Sequence, residues 1–161
     1  MAGRILVSIA LLAVLCPCGR GSDGPIDRVT LRGLKGVRVI VDPTDAELQR
    51  GGVTAANLTT QIARRLEKAG LPIDNNAIEF VGLHVMAAHA KKKSSAVCLT
   101  LALYQTVALA RDPTIKTTTE TWSGESVVLV PPELFSQAVG DTVDQLVDQF
   151  IGAFLAINPK P

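Results

Sequence analysis

A strict alternation of side chains between Val97 and Leu109 constrains the fold more than any other feature. Apolar residues occupy every odd position of this segment except position 105, where Gln105 stands. A period of two places these side chains on one face of a β-strand, whereas a helix would scatter them around its surface. The chain must therefore build a sheet with an apolar face, and other elements must cover that face.

Three more segments predict strands on either side of this one. Residues 36–41, 78–88 and 114–129 are rich in β-branched residues or alternate in polarity, and turn residues separate them. Gly124 is the candidate position of a β-bulge in the last of them, because glycine inside a strand often marks such an irregularity. We therefore expect a sheet of four strands.

Two segments have the period of an amphipathic helix. In the first, Thr54 suits the N-cap and Gly70 suits the C-terminal end, because glycine readily adopts the left-handed conformation there. The second begins near Pro132 and ends before Asn158. Each helix has a single apolar stripe, so each can bury that stripe against one face of a sheet.

The element order β-α-β-β-β-α predicts an α+β fold. We expect a two-layer sandwich in which a four-stranded mixed sheet carries both helices on one face. The first two strands should be parallel through a right-handed crossover, and short turns make the later strands antiparallel. The expected core consists of Val37, Val39, Val41, Leu58, Ile62, Leu66, Val81, Leu83, Val85, Leu99, Leu101, Leu103, Leu146, Phe150 and Phe154.

The N-terminal residues predict an export signal. Arg4 precedes the apolar run Ile5–Leu15, which is shorter than the roughly 20 residues that a bilayer-spanning helix needs. We expect residues 1–21 to be a cleaved signal peptide, residues 22–35 a polar leader and residues 36–161 a single domain. The exported chain would then reside in the periplasm or outside the cell.

The cysteines bear on the redox state and on membrane attachment. Cys16 and Cys18 follow the apolar run, but a lipobox needs a small residue before the cysteine, and Leu15 and Pro17 stand there. A membrane tether is therefore expected only if Cys16 or Cys18 is lipidated. Cys98 would be the sole cysteine of the mature chain, so no intramolecular disulfide is expected.

The outer face of the predicted sheet, opposite the helices, is where we expect function. Exposed apolar patches mark contact surfaces, and aromatic, methionine and arginine side chains are enriched in interfaces. Arg38, Met86, Tyr104 and Trp122 are therefore the candidate partner-binding residues. The full set on this face is Arg38, Ile40, Phe80, His84, Met86, Cys98, Thr100, Ala102, Tyr104, Thr118, Glu120 and Trp122.

The sequence offers little support for other classes of function. The 16 Lys+Arg nearly balance the 15 Asp+Glu, so there is no excess of positive charge to bind nucleic acid. His84 and His89 would project to opposite faces of a strand, and we expect neither a metal nor a cofactor. Cys98 could act as a nucleophile only if the sheet brings His84 within reach of it. We therefore expect a protein that is not an enzyme.

Several segments of the chain share a pattern with known proteins, and they are Leu31–Val37, Arg64–Leu71, Gln105, Arg111–Pro113, Thr121–Trp122, Leu146–Phe150 and Asn158–Pro159. In these segments the chain resembles a family of uncharacterised secreted bacterial proteins, which carries no catalytic residues to transfer. The element order also resembles small envelope modules such as the lipopolysaccharide-assembly lipoprotein and, more loosely, the N-terminal domains of Tol and curli-secretion proteins. We expect a binding or assembly module that contacts another envelope protein through the outer face or a sheet edge. The alternative is a small-ligand or lipid-binding protein with an apolar cavity between sheet and helices.

Overall fold

The computed structural model describes residues 21–44, 46–89 and 95–159. All of the predicted signal peptide except Gly21, including Cys16 and Cys18, lies outside these ranges. The strands are β1 (Arg38–Val41), β2 (Phe80–His89), β3 (Ser95–Leu109) and β4 (Asp112–Val130), and the helices are α1 (Pro25–Val29), α2 (Ala46–Arg50), α3 (Ala55–Ala69) and α4 (Phe135–Ile157), with a 3-10 turn at Pro132–Leu134.

The four strands form one sheet in the order β1-β2-β3-β4. Strand β1 is parallel to β2, and the pairs β2–β3 and β3–β4 are antiparallel. Helix α3 makes the crossover between the two parallel strands, which cannot be joined by a tight hairpin. These pairings confirm the predicted α+β fold with a mixed four-stranded sheet.

Helices α3 and α4 pack beside each other on one face of the sheet. The apolar stripe of α3 and the odd-numbered residues of β3 between Val97 and Leu103 are buried there. Val39, Val41 and Val85, which we expected in the core, pack against it while remaining partly exposed. The expected arrangement of two layers is confirmed.

Residues 22–35 differ from the polar leader that the sequence predicts. They contain α1, and Leu31 is fully buried in the core. The Asn158 side chain holds this segment to the end of α4, because its Nδ2 donates to the Leu31 carbonyl at 2.9 Å and its Oδ1 accepts from the Gly33 N–H at 2.8 Å. The segment is short and intersperses Ile26, Val29, Leu31 and Leu34 among polar residues, so the sequence did not reveal this packing.

A β-bulge in β4 reverses the side-chain alternation that we predicted. Leu103 pairs with Trp122, whereas the next residue, Tyr104, pairs with Glu120. Thr121 is thus the extra residue, and it moves Trp122 from the outer face to the core face. The predicted outer position of Trp122 is wrong, and the bulge lies at Thr121 rather than at Gly124.

The N-cap of α3 supports a first prediction. The Thr54 hydroxyl accepts a hydrogen bond from the Asn57 N–H at 3.2 Å. Thr54→Ala removes this acceptor and should lower the free energy of unfolding by about 1 kcal/mol, whereas Thr54→Ser keeps it and should change little. Urea denaturation measures both. An equal loss in the two variants would contradict the role of the hydroxyl.

Candidate partner-binding surface

The face of the sheet opposite α3 and α4 carries the candidate site, which we call the outer surface. The strand registers bring its side chains into rows that run across the sheet. Asp42 belongs to it because its N–H donates to the Leu83 carbonyl and so continues the alignment of β1 with β2. The outer surface consists of Arg38, Ile40, Asp42, Phe80, Gly82, His84, Met86, Cys98, Thr100, Tyr104, Glu120, Glu125, Val127 and Leu129, and Ala102 and Ser123 lie buried on the same face.

One row combines a cation, two aromatic rings and a carboxylate. Arg38, Phe80, Tyr104 and Glu120 face one another in register across the four strands. The Phe80 and Tyr104 rings are stacked, with centroids 4.8 Å apart and planes 13° from parallel. The Arg38 guanidinium carbon lies 5.6 Å from the centroid of the Phe80 ring. Stacking and the cation–π contact fix these side chains relative to one another, so the row is a preformed surface.

We call the row of Arg38, Phe80, Tyr104 and Glu120 the aromatic row, and a small pocket opens beside it, above Gly82. A Cβ at Gly82 would lie only 2.9 Å from the Tyr104 Cε2, so the tyrosine ring leans over bare backbone. The pocket has a volume of about 100 Å³. We call it the Gly82 pocket; its walls include Ile40, Asp42, Phe80, His84, Thr100 and Tyr104.

The polar wall of the Gly82 pocket contains the carboxylate of Asp42 and the imidazole of His84. His84 Nδ1 and Asp42 Oδ2 lie 2.7 Å apart, and about half of each side chain is exposed. Partial burial raises the pKa of Tyr104, and the negative charges of Glu120 and Asp42 raise it further. These two carboxylates therefore give the tyrosine hydroxyl a negative electrostatic environment.

The other end of the outer surface is apolar. This apolar end comprises one row of Met86, Cys98 and Val127, together with Leu129 in the next row. Met86 is 56% exposed, Val127 51% and Leu129 80%. Apolar side chains exposed together in this way are typical of a contact surface.

Neither a metal site nor a nucleophile pair is formed by the described residues. His84 pairs with Thr100 and Cys98 with Met86, and no hydrogen bond in the described ranges joins the Cys98 thiol to His84. No group of three or more histidine, cysteine or acidic side chains in the same ranges could hold a metal ion. The described part of the chain also contains no helix with the length and apolar character needed to cross a bilayer.

The structure separates Trp122 from the other three predicted contact residues. Arg38 and Tyr104 share one row, and Met86 belongs to the apolar end. Trp122 is fully buried and packs edge-on against Phe150, with ring centroids 5.0 Å apart. It is a core residue.

Val127 and Leu129 are surface residues that the sequence did not reveal. Continuing the predicted alternation of β4 through Trp122 assigns them to the core face, and only the bulge places them outside. Glycine at the bulge would have been the usual clue, but Thr121 occupies it.

Comparisons with known proteins give no family. No family model matches the chain, and no curated protein matches it. Among solved structures, the chain is similar to a PelC dodecamer from Paraburkholderia phytofirmans, with a TM-score of 0.43 and 14% identity over 84% of this chain and 95% of that one. It is also similar to a minor lipoprotein from Acinetobacter baumannii, with a TM-score of 0.30 and 13% identity over 74% of this chain and 94% of that one. At these scores neither likeness bears on function, and the resemblance to an uncharacterised secreted family stays a prediction.

Proposed function

We propose that this chain is a non-enzymatic binding or assembly module, periplasmic or secreted, whose outer surface contacts another protein of the cell envelope. The observation that carries the proposal is the exposure of Met86, Val127 and Leu129 together on the sheet face opposite the helices. Leaving such side chains in water is unfavourable, and a partner that covers them gains the free energy of their burial. The export part of the proposal rests on the predicted signal peptide.

A specific interface also needs side chains held in fixed positions that recognise the partner, and the aromatic row supplies them. Arg38 and Tyr104 are residue types that carry much of the binding energy in protein complexes, and both are held in place by Phe80. A partner that spans the outer surface would bury the apolar end and meet fixed polar groups at the row. A membrane tether would arise only through lipidation of Cys16 or Cys18.

The interior does not favour the ligand-binding alternative. Leu66, Leu99 and Phe150 are fully buried between the sheet and the helices, where an apolar cavity would have to lie. A larger pocket, of about 380 Å³, is lined by helix residues such as Arg65, Lys68 and Leu155. Leu155 is an exposed side chain, so this pocket opens to solvent.

Site-specific photocrosslinking in cells tests the proposal. A photoreactive amino acid at Val127 should form an adduct with a partner protein, whereas the same group at Glu67, which is exposed on α3, should not. The double substitution Met86→Asp and Leu129→Asp should lower the yield of the Val127 adduct about tenfold or more, because it places charge in the contact.

The free energy of unfolding of the double variant shows whether a lost adduct reflects a lost contact or a lost fold. The two substituted side chains are exposed, so urea denaturation of the purified double variant should match that of the parent. An adduct that forms equally well from Glu67, or that persists in the stably folded double variant, would contradict the proposal.

A further inference from the structure

We propose that the Gly82 pocket binds a basic side chain, arginine or lysine, that the partner protein presents to the outer surface. This inference rests on the proposed function, since it specifies the chemistry of the partner at the same surface. The apolar end then supplies contact area, and the pocket supplies recognition of one charged group.

The shape of the pocket suits a long, slender side chain. Phe80 and His84 lie four residues apart on one strand, with Gly82 between them, so the walls stand roughly 13 Å apart at the backbone. The Tyr104 ring leans into this space, and about 100 Å³ remains. Arginine and lysine have apolar stems that can lie against a hydrophobic wall such as Ile40 while the charged head reaches a polar group.

The charge of the surroundings favours a cation. The outer surface carries the carboxylates of Asp42, Glu120 and Glu125, against the guanidinium of Arg38 and the imidazole of His84, which pairs with Asp42. Among the residues that the structure describes, no lysine or arginine lines the pocket. The Phe80 ring on β2 lies between Arg38 on β1 and Tyr104 on β3. The positive charge of Arg38 is therefore separated from the tyrosine by this ring.

Specific groups are available to the head of a bound basic side chain. The Asp42 carboxylate uses Oδ2 toward His84, so its Oδ1 can accept a charge-assisted hydrogen bond. The Thr100 hydroxyl offers a second acceptor at the wall, and the Tyr104 ring adds a cation–π contact. A neutral apolar side chain would use none of these groups and would desolvate the carboxylate without compensation.

An NMR titration with three small ligands tests this inference, and two of these ligands match in shape but differ in charge. The probes are N-acetyl-arginine methylamide and its citrulline analogue, which replaces the guanidinium by a neutral urea group; N-acetyl-lysine methylamide is the third arm. We expect at least one of the two cationic probes, arginine or lysine, to bind with millimolar affinity. Its binding should shift the amide signals of Gly82, Leu83 and Thr100. The citrulline probe should bind at least about tenfold more weakly, because it lacks the charge.

Substitutions of acidic residues near to and far from the Gly82 pocket show where the cationic probe binds. Asp42→Asn keeps the side-chain shape and should weaken binding of the cationic probe about tenfold, and Glu120→Gln should weaken it less. Asp141→Asn, on the exposed face of α4, removes a remote charge and should have no effect beyond a small change from screening.

Three results would overturn the assignment: equal shifts from the arginine and citrulline probes, shifts that Asp42→Asn leaves unchanged, or no shift at the pocket amides with either cation. Equal shifts would instead indicate a pocket for neutral side chains. The proposed function would survive each of them, because the adduct at Val127 and its loss with Met86→Asp and Leu129→Asp depend on the apolar end.

Discussion

Trp122→Ala should lower the free energy of unfolding by about 3–5 kcal/mol, the largest effect that we expect from a single substitution in this chain. The indole is fully buried, lies edge-on against Phe150, and donates from Nε1 to the Asp23 carboxylate at 2.6 Å. Alanine would leave a large cavity between β4 and α4 and would remove a donor from a largely buried carboxylate. Because small domains have only about 5–15 kcal/mol of net stability, much of the variant should be unfolded under mild denaturing conditions.

Trp122→Phe separates the packing contribution from that of the hydrogen bond. Phenylalanine keeps most of the ring contact with Phe150 but gives Asp23 no donor, so the loss should be smaller, about 1–3 kcal/mol. Urea denaturation of both variants, followed by circular dichroism, measures the two losses. If Trp122→Ala instead left stability unchanged and abolished the Val127 adduct, Trp122 would be a contact residue, contrary to its position in the structure.

The architecture of this chain is readable from the sequence because it depends on periodic patterns. The alternation from Val97 to Leu103 and the stripe of Leu58, Ile62 and Leu66 each identify an element and the face that it buries. Thr54 and Gly70 mark the ends of α3, and the structure has an N-cap hydrogen bond and a left-handed glycine at those positions. Local propensity and tertiary packing agree at these residues, so the sequence alone suffices there.

The candidate site can be predicted from the sequence only in part, because it depends on the register in which the strands pair. Arg38, Met86 and Tyr104 lie on the outer surface, as their strand positions predict. One extra residue at Thr121 moves Trp122 inward and Val127 outward, and a threonine gives no local sign of a bulge. The contact between Asp42 and His84 depends on the pairing of β1 with β2, and these two strands are separated in sequence by the helices α2 and α3 and their connecting loops.

The carboxylate of Asp23 supports the second large prediction, because it joins three parts of the molecule. It accepts from Arg28 Nε and Nη2 at 2.8 and 2.7 Å, from Trp122 Nε1 at 2.6 Å and from Gln149 Nε2 at 3.1 Å. Its side chain is only 14% exposed. Asp23→Asn removes the charge and replaces one acceptor with a donor, so it should lower the free energy of unfolding at about pH 7 by about 1.5–3 kcal/mol.

The pH dependence of this loss identifies its electrostatic origin. Burial raises the pKa of Asp23, but the hydrogen bonds from Arg28, Gln149 and Trp122 and the charge of Arg28 outweigh it, so the pKa lies below the usual 3.8. A carboxyl whose pKa is depressed by folding stabilises the fold fully above its unfolded pKa, and that contribution disappears as the pH falls through the folded pKa. Urea denaturation should therefore show the gap between the parent and Asp23→Asn narrowing below about pH 4, whereas Asp141→Asn, at an exposed position, should show little gap at any pH. A gap of constant size across this range would mean that Asp23 acts by its shape alone, and that the N-terminal segment is held to β4 and α4 without help from its charge.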